Sequence, residues 1–408
     1  MQGKVRIQGS KNASLPILAA TLLTEETVWL TNCPKIADVY CMVNLLESLG
    51  VTVKWEPNGI RINAATVCRG DMPADAVKGM RSSLCLLGAL LGRCGEVVME
   101  HPGGCIIGAR PIDIHITALE QMGVDFTWKN GLLEARTRGS KLQGTTIRLP
   151  FPSVGATENI VMAAVMADGT TVIEGAAREP EVKALCEFLR CCGALIKGEG
   201  TTRITIKGTG ILKGTGYRIP ADRIVAGTYL LGTLAACGCV MLEEAPASEM
   251  EAVLETAEQM GACLDVTSEG VFVQACSVPR AISLIRTMPY PGFPTDLQSP
   301  VLAVLAGADG ESMIEETIFE NRFRVVEPLE RMGANIEKIN CNRVRIHGVE
   351  RLRGTRMEAK ELRGGAALLV AALGAEGEST ITGCSYIYRG YENICKDFRE
   401  LGARIVSV

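Results

Sequence analysis

Apolar positions along the chain fall into two alternating patterns. The first is an amphipathic run that closes on glycine and passes directly into strand-like alternation: LLESLGVTV, ALEQMGVDF, FLRCCGALI, TAEQMGACL, LERMGANIE and FRELGARIV. Their glycines, Gly50, Gly123, Gly193, Gly261, Gly333 and Gly402, follow one another at 73, 70, 68, 72 and 69 residues. Glycine just past the last periodic residue stops a helix, and a near-constant period of this size marks a repeated unit. In the first five copies another strand follows (GIRI, GLLEA, RITI, GVFV, RVRI), twice after an Asn-Gly turn, at Asn58-Gly59 and Asn130-Gly131. The second pattern is an Ala/Gly/Leu-rich run: SKNASLPILAATLL, MRSSLCLLGALLG, SVGATENIVMAAVMA, ADRIVAGTYLLGTLAA, PTDLQSPVLAVLAG and LRGGAALLVAALGA. Helices apolar most of the way round are buried ones, and small side chains let several pack closely. A strand follows each (TVWL, EVVME, TTVIE, CVMLE, SMIEE, STIT), then a loop.

The unit is therefore helix, strand, loop, helix, strand, strand, and six of them predict an α/β fold with helices inside and sheets outside. The last copy lacks its final strand, and KVRIQG near the chain start is expected to supply it. That places residues 1–10 with 221–408 in one domain and 11–220 in the other, with two crossings near residues 9–12 and 216–223. A cleft between the two halves is the expected place for a small-molecule site.

Composition narrows the class. The chain has 408 residues, 47% of them hydrophobic and only 4% aromatic, so the core is aliphatic. A net charge of −4 gives no global attraction to nucleic acid or anionic membrane. Residues 224–242 carry no charge and are long enough to span a bilayer, but the repeat splits them into a helix and a strand. The 16 cysteines form no CxxC pair and read as reduced, mostly buried thiols of a cytoplasmic protein. With only His101, His115 and His347, no metal site is expected. The stretch MQGKVRIQGSKN lacks the apolar segment of a signal peptide.

Chemistry collects in equivalent loops and helix starts. The loops bring Arg110, Arg178, Arg322 with Arg324, and Arg389; the inner-helix starts bring Lys11, Arg81, Arg223 and Arg363, with carboxylates Asp222 and Asp296. A cation at a helix start opposes the helix dipole, so its recurrence there points to an anionic ligand bearing phosphate or carboxylate. The richest loop is HPGGCIIGARPID, where Gly103 and Gly104 free the backbone around Cys105 and Arg110 precedes a helix; it reads as an active-site lid. PSVGATEN adds a glycine-containing helix start suited to a diphosphate. No GxxxxGK[ST], GxGxxG or GxSxG occurs, which leaves nucleotide hydrolysis, dinucleotide redox and serine hydrolysis without support.

Ten ordered motifs, SKNASLPILAA, MRSS, PGGCIIGARPIDIH, PSVGATEN, AAREPEV, DRIVAGT, FPTDLQ, FENRF, LRGGAAL and RGYENI, resemble the UDP-N-acetylglucosamine 1-carboxyvinyltransferases, of the enolpyruvyl transferase family, over almost the whole chain. The resemblance implies a two-domain inside-out α/β barrel, three repeats to a domain. It implies transfer of the enolpyruvyl group of phosphoenolpyruvate to the 3′-hydroxyl of UDP-N-acetylglucosamine, releasing phosphate, at the first committed step of peptidoglycan precursor synthesis. No cofactor, metal, nucleic acid or membrane is implied, and the oligomeric state stays open. Cys105 is then the general acid, Asp296 the proton acceptor, and Lys11 and Arg389 complete the catalytic set. Lys11, Asn12, Arg110, Arg363 and Arg389 hold phosphoenolpyruvate. The nucleotide sugar falls to Asn12, Arg81, Arg110, Pro111, Ile112, Asp113, Ile114, Ser153, Val154, Gly155, Asp296 and Ile318. Glu179, Asp222, Arg223, Glu320, Arg322 and Glu361 support them. Against the family pattern, Phe151 stands in place of a phosphate-facing lysine, Glu361 replaces an aspartate, and Tyr386 to Arg389 reads YIYR in place of HIDR.

Two other readings compete: the sister 5-enolpyruvylshikimate-3-phosphate synthases, against which the cysteine of GGCIIGARP argues, and a non-catalytic nucleotide-sugar-binding paralogue, against which the joint presence of Cys105, Arg110, Asp296 and Arg389 argues. A thiol beside Arg110 and a helix start is expected to be more acidic than a free cysteine. Cys105 should therefore be alkylated by the epoxide fosfomycin, which mimics phosphoenolpyruvate; mass spectrometry finding other cysteines modified and Cys105 untouched would contradict this.

Overall fold

In a computed structural model of the chain, residues 1–72, 81–100 and 112–407 are described, without the side chains of Arg81 and Ser82. The chain divides into two compact units, one built on residues 9–220 and the other on 1–8 with 221–408.

The unit of residues 9–220 contains α1 (Lys11–Ala20), α2 (Ala37–Ser48), α3 (Leu86–Cys94), α4 (Asp113–Gln121), α5 (Val154–Met166) and α6 (Pro180–Cys191). The apolar helices α1, α3 and α5 are the core: every residue from Ala13 to Ala20 and from Ala156 to Val165 is buried, and α3 packs on both other helices. Around them lie three sheets. Val28–Thr31 pairs with the hairpin Thr52–Glu56/Gly59–Asn63, Glu96–Glu100 with Val124–Lys129/Leu132–Thr137, and Thr170–Glu174 with Leu195–Lys197/Arg203–Lys207. The second unit repeats the scheme with α7 (Arg223–Ala235), α8 (Glu251–Gln259), α9 (Gln298–Leu305), α10 (Val326–Arg331), α11 (Leu362–Gly374) and α12 (Ile394–Glu400). Here α7, α9 and α11 pack on one another.

Strand burial alternates. Val28 and Leu30, Val97 and Met99, Val240 and Leu242 point inward while their neighbours are partly exposed, so each sheet has one face on the helices and one in water. Four hydroxyls inside the buried helices are satisfied by the preceding turn: Ser14, Thr157, Thr228 and Thr233 each donate to the carbonyl four residues earlier at 2.7–2.9 Å. All six signature glycines have φ between 91° and 99°, the left-handed conformation that ends a helix without a Cβ penalty. The uncharged run 224–242 is indeed a helix, α7, and then a strand, Cys239–Glu243. No helix among the described residues is long and apolar enough to cross a membrane.

Three expectations need correcting. The first concerns the start of the chain. Strand Gln2–Arg6 pairs in parallel with Cys239–Glu243, of the fourth copy, and not with the last one. The reason is a rule visible in other sheets, where the strand before an inner helix pairs in parallel with the strand after one: Thr146–Arg148 with Thr170–Glu174, and Arg356–Glu358 with Thr380–Thr382. Gln2–Arg6 and Gly216–Arg218 satisfy that rule with exchanged partners, Gly216–Arg218 lying beside Val28–Thr31. Among the described residues the last sheet is left with two strands, and no strand forms after Gly402. Second, two inner helices begin as 3-10 turns, Arg81–Cys85 before α3 and Thr295–Leu297 before α9. Third, the cysteines are not mostly buried: of the fifteen described, all free, Cys33, Cys186 and Cys192 are buried and seven are exposed, most of them in turns, loops or on helix surfaces.

This layering predicts a sharp contrast in stability. Leu18→Ala, in fully buried α1, should cost about 2–5 kcal/mol in urea unfolding, and Leu195→Ala, on an exposed strand position, under about 0.5 kcal/mol. Equal losses would contradict a helical core.

Candidate active site

In the unit of residues 1–8 and 221–408, two inner-helix starts and the turn before an outer helix converge on one carboxylate. Asp296 lies in the 3-10 turn leading into α9; its Oδ1 accepts from Arg322 Nη2 at 2.6 Å and its Oδ2 from Arg363 Nη2 at 2.9 Å. The two arginine side chains are 2% and 4% exposed and the aspartate 27%, so the anion is the outward end of a buried cationic pair. Charge-assisted bonds of this kind are short and directional.

Each arginine is held on its other side. Arg322 Nε donates to the Thr295 carbonyl at 3.3 Å. Arg363 Nη1 donates to Tyr391 Oη at 3.3 Å, and that hydroxyl shares a hydrogen bond of 2.8 Å with Thr228. Burial opposes the charge of Arg363, but Asp296, Tyr391 and Asp222 outweigh it and raise its pKa above the ordinary value. Glu361 caps α11, accepting from the N–H of Arg363 at 2.7 Å and from that of Gly364. The glutamate found in place of an aspartate thus still reaches the cap. Asp222 caps α7 through the N–H groups of Ile224 and Val225, at 2.8 and 3.0 Å, while the Arg223 guanidinium stands 5.6 Å from the Tyr290 ring centroid.

Arg389 is half-buried at the end of the turn Cys384–Arg389, with Tyr386 and Tyr388 exposed and Ile387 buried. The chain beyond it is tied to Gln8, whose Nε2 donates to the Gly390 carbonyl at 3.2 Å and whose Oε1 accepts from Glu392 N–H at 2.8 Å. Glu316, absent from the expected set, is 1% exposed. It accepts from Thr295 Oγ1 at 2.9 Å and from the N–H groups of Ile318 and Phe319 at 2.7 and 3.1 Å. It thereby links the Asp296 turn to half-buried Ile318. A glutamate ending the apolar strand SMIEE was the available signal. Glu320 is exposed.

In the unit of residues 9–220, Lys11 Nζ opens α1 and pairs with Asp38 Oδ2 at 2.9 Å, both side chains largely buried; Asn12 beside it is half-buried. The opposition between a cation and the dipole of its own helix is thus met here, as at Arg363, by a protein carboxylate. Ser153 caps α5 through its Oγ, which accepts from Ala156 N–H at 3.4 Å, and Val154 and Gly155 are half-buried. Ile112 is buried, Asp113 exposed and Ile114 half-buried at the start of α4. Glu179 stands at the N-terminus of α6. Glu158, inside α5, has its pKa pushed well up by burial and by the neighbouring Glu181 and Glu179. Phe151 is exposed. Cys105, Arg110 and Pro111 lie outside the described residues, as does the Arg81 side chain. Among the described residues no group of three or more side chains is placed to hold a metal ion.

This framework has full-length relatives. The family described as EPSP synthase (3-phosphoshikimate 1-carboxyvinyltransferase) matches residues 1–398. UDP-N-acetylglucosamine 1-carboxyvinyltransferase 2 of Caldanaerobacter subterraneus is 42% identical over 408 residues, all of this chain and 97% of that one. The UDP-N-acetylglucosamine 1-carboxyvinyltransferase of Lawsonia intracellularis is 43% identical over 405 residues, 99% of this chain and 96% of its own. The chain belongs to the UDP-N-acetylglucosamine 1-carboxyvinyltransferases. Solved structures agree with the α/β fold of this transferase. The enolpyruvyl transferase NikO from Streptomyces tendae aligns at TM-score 0.87 and 23% identity over 98% of this chain and 94% of its own. EPSP synthase from Acinetobacter baumannii aligns at 0.74 and 21%, over 98% and 96%.

Removing the shared anion of this carboxyvinyltransferase leaves two buried guanidiniums facing a neutral amide. Asp296→Asn should therefore cost about 3–5 kcal/mol in urea unfolding, the usual penalty for breaking a buried pair. A loss under about 1 kcal/mol would show the trio to be no more than a surface ion pair.

Proposed function

We propose that this transferase moves the enolpyruvyl group of phosphoenolpyruvate to the 3′-hydroxyl of UDP-N-acetylglucosamine and releases phosphate. The observation that carries the reading is 42–43% identity over essentially the whole length with relatives bearing that name. The sugar hydroxyl oxygen bonds to C2 of phosphoenolpyruvate while C3 takes a proton, giving a tetrahedral intermediate. Loss of a proton from C3 and cleavage of the C2–O bond to phosphate then give the enol ether and inorganic phosphate. Cys105 is assigned the proton given to C3. Asp296 is assigned the proton leaving the hydroxyl: its carboxylate is the outward end of the arginine trio and its oxygens are already oriented.

Lys11, Asn12, Arg110, Arg363 and Arg389 are assigned to phosphoenolpyruvate, whose phosphate and carboxylate suit guanidinium forks. Arg81, residues 110–114, Ser153, Val154, Gly155, Asn12 and Ile318 are assigned to the nucleotide sugar. Glu179, Asp222, Arg223, Glu320, Arg322 and Glu361 support them. We further infer that the six sheets with their inner helices are six copies of one unit, three to each half of an inside-out α/β barrel, with domains near 11–220 and 1–10 plus 221–408. The partners are these two small molecules, and the reading places the reaction in the cytoplasm.

The test is phosphate release from phosphoenolpyruvate with either UDP-N-acetylglucosamine or shikimate 3-phosphate as acceptor. Release with the nucleotide sugar alone is expected. Release only with shikimate 3-phosphate would move the chain to the sister activity, and release with neither would overturn the enzymatic reading.

A further inference from the structure

One buried amide joins the segments to which the nucleotide sugar is assigned. Asn159, one turn into α5 beyond Ser153 and Gly155, is 1% exposed. Its Oδ1 accepts the N–H of Gly88 in α3 at 2.6 Å, which fixes the orientation of the amide. Its Nδ2 donates to the carbonyls of Leu84 at 3.0 Å and Gly155 at 3.2 Å, and lies 3.1 Å from Nδ1 of His115. An amide nitrogen only donates, so Nδ1 of His115 is the acceptor and the ring carries its proton on Nε2. The fit is close: a Cβ on Gly88 would stand 2.1 Å from the Asn159 carbonyl oxygen, and one on Gly155 would stand 3.3 Å from Cε1 of His115.

The partners come from three places. Leu84 belongs to the turn Arg81–Cys85, which carries Arg81. His115 sits in the first turn of α4, directly after residues 112–114. Gly155 is the second residue of α5, beside the Ser153 cap. A polar group this deep in an apolar helix is costly unless every hydrogen bond is made, and here both ends of the amide are used.

We propose that Asn159 is the positioning residue of the nucleotide-sugar site, with His115 acting through it. Its amide sets the mutual placement of the Arg81 turn, residues 112–114 and the α5 start, so that all three meet one diphosphate-bearing ligand. The inference rests on the proposed acceptor substrate.

His115→Ala removes the third acceptor and leaves both amide hydrogens on carbonyls, so the fold should survive. His115→Asn places an oxygen near the former Nδ1. Calorimetric titration of the full chain with UDP-N-acetylglucosamine should show His115→Ala weakened about tenfold or more, the scale of loss when binding groups are displaced by a fraction of an ångström or more. The KM for phosphoenolpyruvate should move less than about twofold, and His115→Asn should recover most of the loss. Asn159→Asp should bind weakly, because it sets an oxygen against the carbonyls of Leu84 and Gly155. Equal binding by His115→Ala, or no rescue by His115→Asn, would overturn the role of Asn159 and leave the substrate reading standing. Failure of the unaltered protein to bind the nucleotide sugar would overturn the substrate reading itself.

Discussion

Two buried guanidiniums sharing one aspartate are the constraint on which the unit of residues 1–8 and 221–408 depends. A lone buried guanidinium is costly to keep, and two would repel; Asp296 answers both with separate oxygens. Because Arg322 precedes α10, Arg363 opens α11 and Asp296 precedes α9, satisfying the charges also fixes where those helices begin. Tyr391 and Thr228 extend the same network into α7, and Glu316 extends it to the Ile318 segment. Asp296, Arg322 and Arg363 by themselves carry one net positive charge, at a carboxylate that reaches the surface.

The unit of residues 9–220 solves its problem with neutral groups. Its hub is an amide, Asn159, and the pKa of its neighbouring carboxyl, Glu158, is raised by burial and by Glu181 and Glu179. Lys11 pairs with Asp38. Lys11 and Arg363, both at helix starts, thus have carboxylate partners already in place.

Much of the fold was legible because it follows from period and glycine. The glycines that ended amphipathic runs all carry the left-handed φ that such an ending requires, and the uncharged run of 224–242 broke where the repeat said it should. Strand exchange was not legible: Gln2–Arg6 has an inward Val5 that would suit any sheet, and only pairing in space chooses Cys239–Glu243. Cysteine exposure failed because most of the exposed thiols lie in turns, loops or on helix surfaces, where residue type does not report burial. Of the site, residue types and helix starts could be read, but partnerships could not. Asp38 meets Lys11, and Asn159 meets Leu84, Gly88 and His115, through contacts far apart in sequence, and no local pattern marks them.

The central claim is that Asp296 and its arginines act as one charged unit. A double-mutant cycle on Asp296→Asn and Arg322→Met, read by urea unfolding of the full chain, tests it most directly. The account predicts that the double variant loses less than the sum of the single losses, with a coupling of about 1–3 kcal/mol, as for residues within one network. Additivity within about 0.5 kcal/mol would contradict it.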